Sequence, residues 1–264
     1  MYGSIAVFAL GLIFGSFANV IIMRLNTGES LIFGSSRCFF CGRNLRWFEL
    51  IPVLSFFFLR GHCRTCGGKI SWQYPVVEIL SGLLFLLLWL EPSSNQLGQN
   101  SVLTITAILF FWLLLIISVY DLRHKIIPNS LVYSAIIVAV LFLILDIGIL
   151  DLLPSIFSGL GLFAFFAALW AVSRGAWMGF GDAKLGLALG LMLGWPAALL
   201  ALLFSFWFGA IFGSAWAFLR GINGMSGSNG WRGVQIPFAP FLFIGGLIAY
   251  LWGDKIISWY ASLI

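Results

Sequence analysis

Long apolar segments alternate with short polar ones along almost the whole chain. About 20 mainly apolar residues are enough for a helix to cross the hydrocarbon core of a bilayer. By this criterion the chain has eight candidate segments, at residues 2–23, 74–90, 101–120, 131–150, 152–173, 183–195, 197–219 and 237–260. The sixth segment is short. The pattern therefore predicts about eight transmembrane helices, with one longer polar interval, residues 24–73, between the first two.

The composition places these helices in a membrane. Charged residues make up 9% of the chain, hydrophobic residues 61%, and the mean hydropathy is +1.06. A soluble domain carries roughly 25% charged residues, so the water-facing surface must be small. We therefore predict an all-α polytopic membrane protein. Residues 1–23 would form the first transmembrane helix, 24–73 a small polar domain, and 74–264 a helical bundle.

The distribution of lysine and arginine predicts the orientation. Thirteen of the fourteen basic residues lie in intervals on one side, and only Lys255 lies on the other. Basic loops remain in the cytoplasm, so residues 24–73 are expected there and both termini outside. The net charge of +5 follows from this orientation. We do not interpret it as nucleic-acid binding.

The polar interval contains a candidate metal site. Its four cysteines, the only ones in the chain, form two C-x2-C pairs, Cys38 with Cys41 and Cys63 with Cys66. Such pairs can place four thiolates tetrahedrally on zinc, and the glycine after each pair permits a tight turn. The alternatives are unrelated thiols or disulfides, and a cytoplasmic location disfavours disulfides. Four cysteine ligands would make a closed, structural site with no position for a catalytic water.

Two aspartates are the candidate catalytic groups. Asp121 ends the third apolar segment and Asp182 opens the sixth, so both are expected at the cytoplasmic edge of the membrane. Acidic residues are scarce, nine in 264. Two carboxylates at one membrane face suggest a pair that shares a proton and activates water.

Each aspartate also has an ordinary structural explanation. Asp182 could cap the sixth helix, and Asp121 could pair with the basic residues that follow it. If the two meet, helix dipoles suggest a division of labour. Asp121 at a helix C-terminus would hold the proton, and Asp182 at a helix N-terminus would be the base. The stripe Gly186, Gly190 and Gly194 is predicted to be a packing face.

Taken together, these residues resemble the type IV prepilin peptidase family, in its bacterial form with a zinc-binding cytoplasmic domain. The similarity runs through nearly the whole chain. It includes the segments 15–20 (GSFANV), 24–25 (RL), 49–55 (ELIPVLS), 60–63 (RGHC), 74–78 (YPVVE), 127–129 (IPN), 179–182 (GFGD) and 236–241 (IPFAPF), with both cysteine pairs and Asp121. Two small departures, at the first cysteine knuckle and at Ala239, do not involve either aspartate.

The resemblance implies an intramembrane aspartyl endopeptidase in the bacterial inner membrane. Its members cut basic leaders from type IV prepilins and type II secretion pseudopilins. Those with a cysteine-bearing loop also N-methylate the new terminus with S-adenosylmethionine. On the matching positions, Asp121 and Asp182 become the catalytic pair, the four cysteines zinc ligands, and Gly61 and Glu49 methyl-transfer residues. The expected partners are the prepilins and the lipid bilayer.

The basic leader raises a question of substrate binding, because the expected cytoplasmic face is itself basic and should repel it. Only Glu29, Glu49 and Glu78 are acidic in or beside the 24–73 interval. We hypothesise that one or more of them contacts a lysine or arginine of the leader. The alternative to an enzyme is a membrane scaffold whose zinc loop recruits a cytoplasmic partner. In that case both aspartates would be structural.

Overall fold

Eight long helices account for most of the structure, a computed structural model that describes residues 2–90, 101–146, 152–224 and 237–263. The long helices are α1 (Tyr2–Arg24), α3 (Gln73–Leu90), α4 (Ser101–His124), α5 (Asn129–Asp146), α6 (Leu152–Ser173), α7 (Phe180–Leu193), α8 (Ala197–Gly224) and α9 (Ala239–Ala261). The short helix α2 (Leu54–Phe58) and a 3-10 turn (Trp47–Leu50) lie between α1 and α3. Each predicted segment thus contains a helix, and the all-α prediction is confirmed.

Six of these helices, α1, α3, α4, α6, α8 and α9, are long and apolar enough to cross a membrane. Helix α5 is apolar but shorter, with an apolar stretch at Asn129–Leu145. Helix α7 has only 14 residues. The predicted number of eight transmembrane helices therefore stays a prediction. Residues 147–150 of the predicted fourth segment lie outside the described residues.

The chain divides into two compact units, residues 1–99 and 100–264. In the first unit α1 packs along α3. A Cβ on Gly15 of α1 would lie only 2.5 Å from the Glu78 Cα atom, so the two backbones are close. By packing, α3 therefore joins α1 and the polar interval. The predicted boundary at residue 74 between the polar domain and the helical bundle stays a prediction.

In the second unit α4 is the most buried membrane-length helix, and α5 and α9 pack against it. Helix α7 packs against α5 and α6, and α8 packs against α9. Phe110, Phe111 and Ile116 of α4 are completely buried in this core. These contacts bring the C-terminal end of α4 and the N-terminal ends of α7 and α9 into one region.

The glycine stripe of α7 is a packing face, as predicted. A Cβ on Gly190 would lie 2.6 Å from the Ser158 carbonyl oxygen and from the Gly159 Cα atom, both in α6. One on Gly186 would meet the Phe166 ring, and one on Gly194 the Ser155 hydroxyl. Small residues thus allow α6 and α7 to touch through their backbones.

Candidate active site and metal centre

Asp121 lies in the last turn of α4 and is buried, with 5% of its surface exposed. Its Oδ2 atom accepts a hydrogen bond of 3.2 Å from the backbone N–H of Ala239, at the start of α9. One turn earlier, the Ser118 hydroxyl donates to the Ala239 carbonyl at 3.2 Å. Two side chains of α4 therefore bind the backbone where α9 begins.

Asp182 lies in the first turn of α7 and is also 5% exposed. The N-cap of α7 is Gly179, so Asp182 is not the capping residue. Its Oδ1 atom is buried and has no hydrogen-bond partner among the described residues. A buried carboxylate oxygen without a donor is costly for stability, and such costs are often found at functional sites.

The structure brings the two carboxylates within electrostatic range of each other. The segment between α4 and α5 contributes to this arrangement. A Cβ on Gly181 would lie 2.8 Å from the Ile127 Cβ atom, so the start of α7 lies directly against this segment. Gly181 allows this close approach, because a Cβ at position 181 would push the segment that holds Ile127 away from the start of α7.

The helix-dipole hypothesis is incomplete in this setting. Asp121 does lie at the C-terminal end of α4, where the dipole disfavours negative charge. It also accepts a hydrogen bond from the N-terminus of α9, where the dipole favours negative charge. The two helix ends oppose each other, so dipoles give no basis for assigning the proton to Asp121.

Sequence reasoning missed a polar contact beside the pair. Lys184 donates a hydrogen bond of 2.8 Å to the Asn129 side chain, and its ammonium lies over the rings of Tyr133 and Phe180. Asn129 follows Pro128 at the start of α5, a sequence signal for a helix start but not for this contact. The contact ties the first turn of α7 to the first turn of α5.

The four cysteines form one cluster in which all Sγ atoms lie within 4.8 Å of one another. The Cys38 and Cys66 Sγ atoms are 3.7 Å apart. Four thiolates placed tetrahedrally at about 2.3 Å from zinc would be separated by about 3.8 Å. All four are free thiols, so the disulfide alternative is not seen. The cluster therefore fits a tetrahedral zinc ion.

The two knuckles have the same backbone hydrogen bonds. Cys38 N–H donates to the Arg43 carbonyl at 2.9 Å, and Cys63 N–H donates to the Gly68 carbonyl at 2.8 Å. Gly42 and Gly67, one residue after each pair, both have φ of +68°, which only glycine adopts freely. Backbone amides of Cys66 and Thr65 lower the pKa of the Cys63 thiol to about 6, which favours the thiolate that binds metal.

The predicted methyl-transfer residues lie in the same unit as this cluster. Glu49 is buried and accepts hydrogen bonds from the Arg43 side chain at 2.7 Å and the Arg46 N–H at 2.8 Å. The hydrogen bond from Arg43 lowers the pKa of Glu49, which therefore stays ionised. Gly61 has φ of +70° and lies against the Phe56 ring.

The three glutamates proposed to bind the leader differ in exposure. Only Glu29 is open to solvent, with 68% of its side chain exposed, and Arg24 is 3.5 Å away. Glu78 is buried, and its Oε2 atom accepts a hydrogen bond of 2.7 Å from the Val53 N–H. Leader binding stays a prediction, and exposure favours Glu29 among the three.

Two family profiles match the chain. The Bacterial Peptidase A24 N-terminal domain matches residues 9–91, and the Type IV leader peptidase family matches residues 108–214. The first match covers the cysteine cluster and the second covers both aspartates. No solved structure matches the chain significantly.

Several curated proteins named prepilin leader peptidase/N-methyltransferase are similar over nearly the full length. The one from Bacillus subtilis (strain 168) is 35% identical over 260 residues, covering 97% of each chain. The one from Aeromonas salmonicida (strain A449) is 33% identical over 289 residues, covering 98% of this chain and 94% of the relative. The one from Pseudomonas aeruginosa is 32% identical over 281 residues, covering 95% and 91%.

Proposed function

The chain belongs to the type IV leader peptidase family, and from this membership we propose that it is a membrane aspartyl endopeptidase and N-methyltransferase. It cleaves basic leaders from type IV prepilins and type II secretion pseudopilins and then methylates the new N-terminus. One observation supports the peptidase activity most directly. Two buried carboxylates, Asp121 and Asp182, lie within electrostatic range of each other.

Asp121 and Asp182 are the proposed catalytic residues. One carboxylate takes a proton from water as the water oxygen attacks the scissile carbonyl carbon. The other carboxyl gives its proton to the carbonyl oxygen. When the C–N bond breaks, the carboxyl that took the proton from water gives it to the leaving nitrogen, and the other carboxylate takes a proton back from a hydroxyl of the tetrahedral intermediate. The products are a leader carboxylic acid, which ionises in water, and a new amino terminus. Because Asp182 Oδ1 has no partner among the described residues, we assign contact with the water to that atom.

Cys38, Cys41, Cys63 and Cys66 are proposed to hold one zinc ion. With four thiolate ligands the site is closed, so zinc would stabilise the loop and supply no catalytic water. A polar interval of about 50 residues buries little core, and metal binding would supply much of its folding free energy. Arg43, which contacts both Glu49 and Cys63, would offset part of the negative charge of this centre.

Methyl transfer is assigned to the 24–73 loop. S-adenosylmethionine, when bound, supplies an electrophilic methyl group to the new amine. Gly61 and Glu49 are the proposed residues for this activity. Since the Glu49 carboxylate is already held by Arg43 and Arg46, we expect Glu49 to act by shaping the loop.

The proposed setting is the bacterial inner membrane. Eight helices would cross or enter it, with both termini outside and the loop and aspartates on the cytoplasmic side. Thirteen basic residues on one side support this orientation. In functional terms residues 1–23 anchor the chain, 24–73 bind zinc and transfer the methyl group, and 74–264 carry the peptidase. The scaffold alternative is not favoured, because the similar proteins are named as enzymes.

The test is incubation of purified protein with a synthetic prepilin, followed by mass spectrometry of the product N-terminus. Loss of the leader reports cleavage, and the added mass of a methyl group reports methylation. Asp121→Asn and Asp182→Asn should each lower cleavage at least 10³-fold, since water activation needs both groups. Near-normal cleavage by either folded variant would remove the pair from the mechanism.

A further inference from the structure

Glu78 makes an unusual contact for an acid in a membrane-length helix. It lies in the second turn of α3 and is 6% exposed. Its Oε2 atom accepts a 2.7 Å hydrogen bond from the backbone N–H of Val53, 25 residues earlier in the polar interval. The Ser16 hydroxyl of α1 also contacts the carboxylate. Glu78 therefore joins α1, α3 and the loop at one buried point.

The backbone at Val53 is strained. Val53 has φ of +62° and ψ of −52°, and Leu54 N–H donates to the Pro52 carbonyl at 2.6 Å. These values define the rare γ-turn with a positive φ at its centre. A β-branched residue is a poor fit for positive φ, and such a conformation persists only where its surroundings enforce it. The hydrogen bond from Val53 to Glu78 is one such constraint.

This turn sets the position of α2. Phe56 of α2 is buried, and its ring centroid is 4.8 Å from that of Trp72, directly before α3. Gly61 N–H donates to the Phe56 carbonyl at 2.9 Å, and a Cβ on Gly61 would lie 3.2 Å from the Phe56 ring. The contacts thus run from Glu78 through the turn and α2 to Gly61, between the two cysteine pairs.

We propose that Glu78 is a positioning residue that latches the loop to α3 through the Val53 N–H, and so places α2 and Gly61 for methyl transfer. The functional half of this inference rests on the function proposed above. The latch needs a hydrogen-bond acceptor at position 78 and not a negative charge. It therefore differs from the hypothesis that Glu78 binds the basic leader.

Four full-length variants in lipid nanodiscs test the latch: Glu78→Ala, Glu78→Gln, Val53→Gly, and the double variant Glu78→Ala with Val53→Gly. The first readout is hydrogen–deuterium exchange of the backbone amides at 53–58, which needs no activity. Glu78→Ala should raise this exchange about tenfold and lower methyl transfer about tenfold, with cleavage changed less than twofold. Glu78→Gln should behave like the parent, because its amide oxygen can accept the same hydrogen bond.

Val53→Gly is the decisive variant. Glycine adopts positive φ without strain, so the turn no longer depends on the latch. In the Glu78→Ala background it should restore exchange at 54–58 and methyl transfer to within about threefold of the parent, while the amide at 53 stays without its acceptor. If Glu78→Ala unfolds the loop completely, the double variant still tests the latch, because its turn can form without the hydrogen bond to Glu78. Glu29→Ala, in the same loop but exposed, is the matched control and should leave exchange at 53–58 unchanged.

Two results would overturn the latch. One is a Glu78→Gln variant as impaired as Glu78→Ala together with no rescue by Val53→Gly. The other is a Glu78→Gln variant that raises KM only for substrates with basic leaders, which would mean that the carboxylate charge reads the leader. If the parent protein has neither activity, the proposed function fails, and the exchange data still decide whether the latch exists.

Discussion

Gly190→Ala tests whether packing between α6 and α7 sets the geometry of the proposed catalytic pair. A Cβ at this position would lie 2.6 Å from backbone atoms of Ser158 and Gly159, whereas ordinary contacts begin near 3.4 Å. The two helices must therefore separate by about 0.8 Å, because no flexible side chain can move aside. Gly161→Ala, on α6, is the matched control, since a Cβ there meets nothing within 4 Å.

The cost in stability follows from the dispersion attraction that α6 and α7 lose when they separate. A gap of 0.5–1 Å loses about a quarter to a half of the attraction between contacting atoms. With roughly 30 atom pairs at about 0.15 kcal/mol each, the loss is about 1–2 kcal/mol. Both substitutions gain up to about 1 kcal/mol of helix propensity, which cancels in the comparison. Gly190→Ala should therefore be about 1–2 kcal/mol less stable than Gly161→Ala.

The larger effect should be on catalysis. Gly190 is eight residues from Asp182 in the same helix, so the displacement is carried about 12 Å to the pair. A misplacement near 1 Å can cost a hundredfold in rate, and we expect kcat for leader cleavage to fall about ten- to hundredfold. Stability would be measured by detergent-induced unfolding and kcat by cleavage of a synthetic prepilin. Equal stability and equal kcat for the two variants would refute the packing argument.

Three further predictions concern the metal, a polar contact and the substrate. Purified protein should contain one zinc per chain by metal analysis, and Cys63→Ser should lower methyl transfer more than cleavage; equal loss of both would contradict separate sites. Lys184→Met should lower the free energy of unfolding by about 1.5–3 kcal/mol by removing the hydrogen bond to Asn129, whereas the chemically similar Lys255→Met should not. Glu29→Lys should raise KM for a basic leader, most at low ionic strength, and leave a neutralised leader unaffected.

The helices could be predicted from apolar length because a bilayer demands it, but only some of their ends could be. The fifth predicted segment, residues 152–173, coincides with helix α6, Leu152–Ser173. By contrast α4 continues to His124 through polar residues that an apolar count leaves out, and α7 begins at Phe180. As a result both aspartates lie inside terminal helical turns. The cysteine cluster was predictable because metal ligation constrains both residue type and spacing.

The partners of the site residues could not be predicted, because packing between distant segments determines them. Ala239 lies 118 residues from Asp121, and its N–H carries no sequence signal for that contact. The positive φ of Val53 is contrary to what a β-branched residue favours locally. In both cases tertiary contacts override what the local sequence indicates. Ala239 lies beside the buried carboxylate of Asp121, and Val53 lies beside that of Glu78.

The hydrogen bonds of the two aspartates suggest what makes the pair unequal. The helix dipoles do not make them unequal, since the C-terminus of α4 disfavours negative charge on Asp121 and the N-terminus of α9 favours it. Backbone N–H groups contact both carboxylates, from Ala239 and Phe238 for Asp121 and from Gly179 and its own residue for Asp182, and the difference lies in single oxygen atoms. Asp121 has a backbone N–H on Oδ2, while Oδ1 of Asp182 is buried without a partner among the described residues. Both carboxylates are therefore held by the protein, and Oδ1 of Asp182 is the oxygen that remains to bind what the reaction brings. Ala239→Pro would remove that N–H and should impair cleavage while leaving the Asp182 carboxylate in place.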